Sequence, residues 1–187
     1  MHLCIKCNSA LTNSPLFFSN AHFYCLFLTK VWHNICYIIK VNRIKGAYIR
    51  KGYTIKDLTI GQEASFTKTI SETDVYLFAG ITGDINPAHL NEEYAKNTFF
   101  KGRIAHGMLS AGLISAVLGV HMPGPGTIYL SQTLNFLAPV RMGDTITATG
   151  KVVEMIPEKN RVKIETICTN QDGTVVTKGE AVVMPPK

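Results

Sequence analysis

The first fifty residues of this chain contain no aspartate and no glutamate, although they hold six basic residues. This segment therefore carries the whole formal net charge of +6, because residues 51–187 balance 13 basic residues against 13 acidic ones. A basic protein often binds an acidic partner such as nucleic acid or a membrane surface. Since the excess charge lies outside the main segment, we expect neither nucleic acid nor a membrane as its partner.

Cysteine and tryptophan are also scarce beyond this opening segment. Residues 51–187 contain a single cysteine, Cys168, in a strand-like run, and no tryptophan. An isolated cysteine among apolar neighbours is typical of a small core residue. The main segment also lacks a glycine-rich dinucleotide motif and any paired cysteines and histidines, so we expect no bound metal and no cofactor.

Residues 1–50 form an atypical segment that is rich in aromatic residues and holds the other four cysteines. A Cys-x-x-Cys pair with two further cysteines and two histidines allows a zinc site, but its second half lacks paired spacing. The uncharged run at 8–29 allows a membrane anchor or signal, but polar residues interrupt it and no small-residue cleavage site follows. We favour a third interpretation, in which much of this extension is non-native or disordered and residues 51–187 form the domain.

Two helices are predicted on either side of a short polar loop. Ser71, followed three residues later by an acidic residue, forms a capping box, and apolar residues at helical spacing then lead to Gly83, a glycine typical of a helix end. Asn86-Pro87 offers a new N-cap with proline at the first helical position. The second helix is predicted to run to about Asn97.

A long segment without charge follows, because no charged residue occurs between Arg103 and Arg141. Its first part, 104–120, is apolar on nearly all sides and predicts a helix buried on every face. An Asp-Gly pair at 172–173 predicts a two-residue hairpin. Strand patterns occur at 61–70, 127–137, 145–155, 162–169 and 174–184. One buried helix with consecutive hairpin strands indicates an α+β fold, an antiparallel sheet wrapped around a long central hydrophobic helix.

The loop between the first two helices holds the candidate active site. Asp84 lies directly after the glycine that ends the first helix, and His89 lies in the first turn of the next, so both side chains can reach one small volume. A carboxylate with an ordinary pKa of about 3.9 and an imidazole with one of about 6.5 can hold and deprotonate a water molecule. The same residues also fit a structural interpretation, with Asn86 as a helix cap, Asp84 as a turn residue and His89 on the surface. The spacing alone does not decide between them.

A specific combination of motifs decides in favour of catalysis. An Asp-x-Asn-Pro-x-His motif is followed by a His-Gly pair that opens a hydrophobic helix, and further matches lie in the strands. With these segments, residues 52–185 resemble the MaoC-like hydratase family, the hot-dog-fold (R)-specific enoyl-CoA hydratases. Residues 1–50 lie outside the resemblance. The matching segments are Phe78-Ala-Gly-Ile-Thr-Gly-Asp-Ile-Asn-Pro-Ala-His89, Gly102-Arg-Ile-Ala-His-Gly-Met-Leu109, Leu134-Asn-Phe-Leu-Ala-Pro-Val140 and Gly143-Asp144.

The resemblance implies a hydro-lyase that adds water reversibly, with syn geometry, to a trans-2-enoyl-CoA and gives the (R)-3-hydroxyacyl-CoA. The catalytic Asp and His of the family fall on Asp84 and His89, and its supporting Asn falls on Asn86. Gly107, at the start of the long helix, can offer a backbone N–H to the thioester oxygen, although a packing role also fits it. His106 is expected to order this turn rather than to react.

The resemblance also implies an acyl-CoA substrate, no cofactor, a homodimer or an assembly of dimers, and a cytoplasmic location. Lys101, Arg103 and Arg141 are open candidates for the CoA phosphates. Short acyl chains are expected. Alternative functions are an (R)-3-hydroxyacyl dehydratase acting on acyl carrier protein in fatty acid synthesis and, less favoured, a hot-dog thioesterase or a non-catalytic acyl-CoA-binding module.

Overall fold

Residues 50–187 are the part of the chain described by the structure, a computed structural model. Their strands are β1 (Glu63–Thr69), β2 (Ile128–Phe136), β3 (Thr145–Ile156), β4 (Arg161–Thr169) and β5 (Val175–Met184), each within two residues of its predicted range. These strands form one antiparallel sheet in the order β1-β3-β4-β5-β2, which makes β1 and β2 the edges. The proposed zinc site and membrane anchor lie outside the described residues, as does the rest of the N-terminal segment up to residue 49.

Four α-helices are described where the sequence predicts three, because one predicted helix is divided and the central one is shorter than predicted. They are α1 (Glu72–Thr82), α2 (Pro87–Leu90), α3 (Glu92–Ala95) and α4 (Gly107–Ala116), which a π-helical turn (Val117–His121) continues. Helix α1 begins at the Ser71 cap and ends at Gly83, whose φ of 78° is left-handed, as predicted. Within residues 50–187, no helix is long and apolar enough to cross a membrane.

The second predicted helix is interrupted at Asn91. The Asn91 side chain accepts a hydrogen bond from the Tyr94 N–H at 3.0 Å, so it caps a new helix instead of continuing the old one. An asparagine side chain competes with the helical backbone in this way and favours a cap. The single helix predicted from Pro87 to Asn97 is therefore two short helices.

The central helix also begins later than predicted. The Ala105 N–H donates to the Val140 carbonyl at 2.7 Å, and the Ile104 N–H donates to the Ala88 carbonyl at 3.3 Å. These bonds to other parts of the chain hold residues 104 and 105 out of helical conformation. Helix α4 therefore starts at Gly107, with His106 as its N-cap.

One face of α4 packs against strands β1, β3 and β4, and the opposite face is exposed. The packed face carries Ser110, Leu113 and Ile114, and the π-helical turn adds Val117 and Leu118. The prediction that this helix is buried on every side is therefore wrong for a single copy of the chain. The exposed positions are Met108, Gly112, Ser115, Gly119 and Val120.

The sheet curls around this helix, so the predicted α+β hot-dog architecture is confirmed. Alternate residues of β4, from Val162 to Cys168, are fully buried beneath the helix. Burial raises the pKa of the Cys168 thiol to about 12. Cys168 is therefore an unreactive core residue, as its surroundings in the sequence suggested.

The hairpin between β4 and β5 differs in length from the prediction. The Asn170 N–H donates to the Thr174 carbonyl at 3.0 Å, which leaves three residues, 171–173, in the loop. Gly173 adopts a left-handed φ of 77°. A three-residue loop with a left-handed glycine is a common alternative to the two-residue turn. The Asp-Gly pair located the hairpin correctly, but the predicted loop length is wrong.

The N-terminus of α1 should respond to acid through Asp74. A hydrogen bond from Lys68 at 2.8 Å, with another from Ser71, lowers the pKa of Asp74 from 3.8 to about 2. Because the pKa is depressed in the folded state, the stabilisation is complete above the unfolded pKa and is lost as the pH falls towards about 2. Asp74→Asn should lower the free energy of unfolding by about 1 kcal/mol at neutral pH, as loss of a cap does. Urea unfolding at several pH values should show parent and variant converging in acid, and a gap independent of pH would contradict this.

Candidate active site

The loop between α1 and α2 is held by side-chain bonds at both ends. The Asn86 side-chain carbonyl accepts from the Ala88 N–H at 3.0 Å and so caps α2. The Asn86 N–H donates to the Asp84 carboxylate at 3.3 Å. Asp84, whose side chain is 50% exposed, therefore has a fixed position while one carboxylate oxygen stays free for a ligand. Asn86 is placed to orient its neighbours rather than to react.

The tautomer of neutral His89 follows from its one hydrogen bond. The His89 Nδ1 lies 2.9 Å from the Ile104 carbonyl oxygen. A carbonyl can only accept, so Nδ1 carries the hydrogen and Nε2 of the neutral ring has a free lone pair. This is the form in which a histidine acts as a general base. Helix α2 fixes the ring from one side, and the chain before α4 fixes it from the other.

His106 contacts both predicted catalytic residues. Its Nε2 donates to the backbone carbonyl of Asp84 at 2.9 Å, and its ring packs on the His89 ring with centroids 3.9 Å apart. Phe78 covers its other side at 4.7 Å. The ring is buried, and its Nδ1 has no hydrogen-bond partner among the described residues. His106 therefore fixes the Asp84 loop and the His89 ring together.

The structure brings Asp84, His89 and His106 into one cluster, in which one nitrogen or oxygen atom of each lies within 4.8 Å of the others. Two polar atoms at such a separation can both bond one water molecule. The cluster suits a metal ion less well. His106 Nε2 carries a hydrogen that it donates to the Asp84 carbonyl, so this nitrogen is not free to bind a metal ion.

A pocket of about 390 Å³ opens beside this cluster. His89 and Gly107 both line it. Asp84 does not line the pocket, but it belongs to the same cluster as His89. The rest of the lining is mainly apolar, as suits an acyl chain. It includes Phe99, Phe100, Met108, Phe136, Leu137 and Val140.

Gly107 lies at the first position of α4, on the pocket wall. The first N–H groups of a helix have no intrahelical acceptor and carry the positive end of the helix dipole. The ring of Phe136 packs directly on this glycine, so that an added Cβ would lie only 2.9 Å from the Phe136 Cδ1. The glycine thus leaves room for a neighbouring side chain of the same pocket.

The three basic residues that the sequence left open differ in their contacts. Arg103 is mostly buried, donates to the His89 carbonyl at 2.8 Å and pairs with Glu72, whose hydrogen bond raises the pKa of Arg103. Arg141 donates to the carbonyls of Phe100 and Arg103. Both guanidinium groups therefore hold the loop at the pocket mouth together. Lys101 is exposed and adopts a left-handed φ of 56°.

The roles of Arg103 and Phe136 were missed at the sequence level. Arg103 borders the long uncharged segment. A single charged residue next to a buried helix only weakly indicates that its side chain holds neighbouring segments together. Its bond to the His89 carbonyl joins the segment before α4 to helix α2, and nothing in the local pattern marks that contact. In the sequence, Phe136 fits the strand pattern like any other apolar residue, and nothing there indicates a role in the site.

Comparisons with known proteins agree with this geometry. A family model described as "MaoC like domain" matches residues 56–173. An (R)-specific enoyl-CoA hydratase from Rhodospirillum rubrum is 61% identical over 131 residues, which cover 70% of this chain and 90% of that protein. A 3-hydroxybutyryl-CoA dehydratase from Methylorubrum extorquens is 52% identical, with coverage of 71% and 83%.

A solved structure with the same fold is the unliganded R-hydratase PhaJ1 from Pseudomonas aeruginosa. It is 49% identical and superposes with a TM-score of 0.69, over 73% of this chain and 87% of that one. The range matched by the family model, 56–173, includes the loop that carries the cluster and the central helix.

Proposed function

This chain belongs to the MaoC-like domain family, and from that premise we propose that it is an (R)-specific enoyl-CoA hydratase. It is a hydro-lyase that adds water reversibly to a trans-2-enoyl-CoA, and in the other direction it acts as an (R)-3-hydroxyacyl-CoA dehydratase. One observation carries the proposal. The His89 Nδ1–H bond to Ile104 leaves Nε2 as a base beside the Asp84 carboxylate, at a pocket whose wall includes a helix N-terminus.

In this mechanism Asp84 and His89 hold one water molecule between them. One of the two groups takes a proton from the water as its oxygen bonds to the β-carbon, and a proton is then delivered to the α-carbon. Both groups lie on the same side of the substrate, so hydroxyl and hydrogen add to one face of the double bond. Asn86, His106 and Arg103 position the pair.

Negative charge develops on the thioester oxygen during this addition. The Gly107 N–H, at the positive end of α4, would donate to that oxygen. One such donor typically contributes about 3 kcal/mol, or roughly a hundredfold in rate. Since the reaction moves only protons and water, no cofactor is required by this scheme.

The test follows the enoyl absorbance of crotonyl-CoA with the full chain. The absorbance should fall, and an (R)-specific 3-hydroxyacyl-CoA dehydrogenase should oxidise the product. Release of free thiol would instead indicate a thioesterase. Activity only on carrier-protein thioesters would favour the dehydratase of fatty acid synthesis, and inertness on both would leave a binding module.

We propose that Lys101 meets the phosphates of CoA, because the Arg103 guanidinium already bonds Glu72 and the His89 carbonyl, and that of Arg141 bonds two loop carbonyls. Lys101→Gln should raise the KM for crotonyl-CoA about tenfold, in proportion to the loss of one charge-assisted contact. The KM for the matching N-acetylcysteamine thioester, which has no phosphate, should not change. Lys56→Gln, a surface change in another loop, serves as control. Equal effects on both thioesters would contradict the assignment.

We also propose that two copies pair through β2 to form a homodimer in the cytoplasm, working in fatty acid metabolism. In the described residues β2 bonds only to β5, so its other side is a free sheet edge. Large apolar side chains are exposed on this strand, including Ile128, Tyr129 and Leu130. The exposed face of α4 adds Met108, and the π-helical turn after it adds Val120. Light scattering that gave the mass of one chain would contradict the dimer.

A further inference from the structure

The contact between Gly107 and Phe136 is the closest side-chain approach to any glycine in the catalytic region. A Cβ built on Gly107 would lie 2.9, 3.0 and 3.3 Å from three carbon atoms of the Phe136 ring. All three nearest atoms belong to this one ring. Real Cβ atoms do not approach so closely, so a side chain at position 107 would have to displace the ring.

The backbone of Gly107 does not itself require glycine. Its φ lies outside the left-handed range, unlike that of Gly83 or Gly173. At a helical position alanine is favoured over glycine, because glycine loses more conformational freedom on folding. The structural need for glycine here therefore comes from what lies against it, and that is Phe136.

The Phe136 ring is not held in place by burial in the core. The residue is 51% exposed and lies at the last position of the edge strand β2, opposite Thr177 of β5. One part of the ring covers Gly107, and the residue lines the same pocket as His89. An aromatic ring beside a reactive pocket, with half its surface free, is suited to contact a planar ligand.

We propose that Phe136 positions the substrate, and that Gly107 is glycine chiefly to admit this ring. The ring and the Gly107 backbone then form one wall of the pocket, which holds the planar enoyl thioester with its oxygen at the Gly107 N–H. The inference rests on the proposed function. According to this proposal, glycine is required at position 107 because the Phe136 ring occupies the space of a side chain. The alternative is that the substrate itself approaches the Gly107 Cα and needs that space.

A double-mutant cycle separates the two causes. The cycle compares the parent with Gly107→Ala, Phe136→Ala and the double variant in crotonyl-CoA hydration. Gly107→Ala should lower kcat about 100-fold with little change in KM, since a misplacement of about an ångström has such an effect. Phe136→Ala should lower kcat/KM about tenfold, the scale of one lost aromatic contact. With the ring absent, the three atoms nearest to the added methyl are gone, so the double variant should match Phe136→Ala within about threefold.

Two outcomes would overturn the proposal. A double variant with the product of both single effects, about 1000-fold, would mean that the substrate itself requires glycine at 107. An unchanged kcat/KM for Phe136→Ala would mean that the ring has no part in positioning. Gly80→Ala is the matched control, because a Cβ there meets no atom within 4 Å, and it should leave activity unchanged.

The same cycle can be measured as the dissociation constant of butyryl-CoA, a saturated thioester that cannot be hydrated. Non-additive losses in binding would support the pocket wall formed by Phe136 and Gly107, even if the parent did not hydrate enoyl thioesters. In that case only the proposed function would be rejected. A parent that neither hydrates crotonyl-CoA nor binds butyryl-CoA would overturn both. Thermal unfolding should place Gly107→Ala near the parent, because the helical gain from alanine offsets the displacement of the half-exposed ring, and this result would exclude misfolding as the cause of its loss.

Discussion

Replacing Asp84 with asparagine is expected to reduce kcat for crotonyl-CoA hydration by about 10³-fold, within the range for loss of a general acid or base. The amide keeps the size of the carboxyl group and can still accept from the Asn86 N–H, now 3.3 Å from the carboxylate. It loses the charge with which Asp84 helps to hold the water and to move its protons. The measurement is the initial rate at saturating substrate, taken with thermal unfolding of the same protein.

The asparagine variant should unfold at the same temperature as the parent, because the Asp84 side chain is half exposed and its local bond is kept. Asp57→Asn makes the same chemical change in a 3₁₀ helix, Ile55–Asp57, outside the cluster and should leave kcat unaltered. If Asp84→Asn retained more than about a tenth of the parent rate, Asp84 would not be the group that handles the proton.

His106 is expected to show the second large effect, through the atoms it positions. His106→Leu fills much of the same volume but cannot donate to the Asp84 carbonyl. The loop that carries the Asp84 carboxylate therefore loses this hydrogen bond. We expect kcat to fall about 100-fold, as for a misplaced catalytic group. His106→Gln places an amide N–H near the position of Nε2 and should recover kcat to within about tenfold of the parent.

The comparison between these two variants excludes a purely structural explanation. Both remove the ring stacked on His89 and Phe78, so both should lose about 1–3 kcal/mol of stability, as misfitting core substitutions do. Only the glutamine variant restores the hydrogen bond. If the two variants had equal kcat, the bond to Asp84 would carry no part of catalysis, and His106 would serve only to fill space.

Much of the fold was predictable because its determinants are local. The capping box at Ser71 and the left-handed glycine at 83 fix the ends of α1 through contacts within a few residues. The strands follow from alternation of apolar and polar side chains. Two boundaries failed. The break at Asn91 comes from a local side-chain cap on the Tyr94 N–H, and the late start at Gly107 comes from a bond to a distant segment, from Ala105 to Val140.

The candidate site was predictable only in part. The Asp-x-Asn-Pro-x-His motif placed Asp84 and His89 within one helical turn, and both lie in the cluster as expected. Their neighbours come from far along the chain. His106 reaches the loop from 22 residues away, and Phe136 meets Gly107 across the pocket.

The sequence by itself determined the order of elements, the neutral main domain and the pair of groups able to handle a proton. These depend on composition, on short-range spacing and on motif. Only the tertiary structure decided which nitrogen of His89 is free, since that depends on the Ile104 carbonyl. It also decided that the Phe136 ring lies against Gly107 and that Arg103 and Arg141 are both bonded within the chain. Such features depend on contacts between residues distant in sequence, and folding alone brings those residues together.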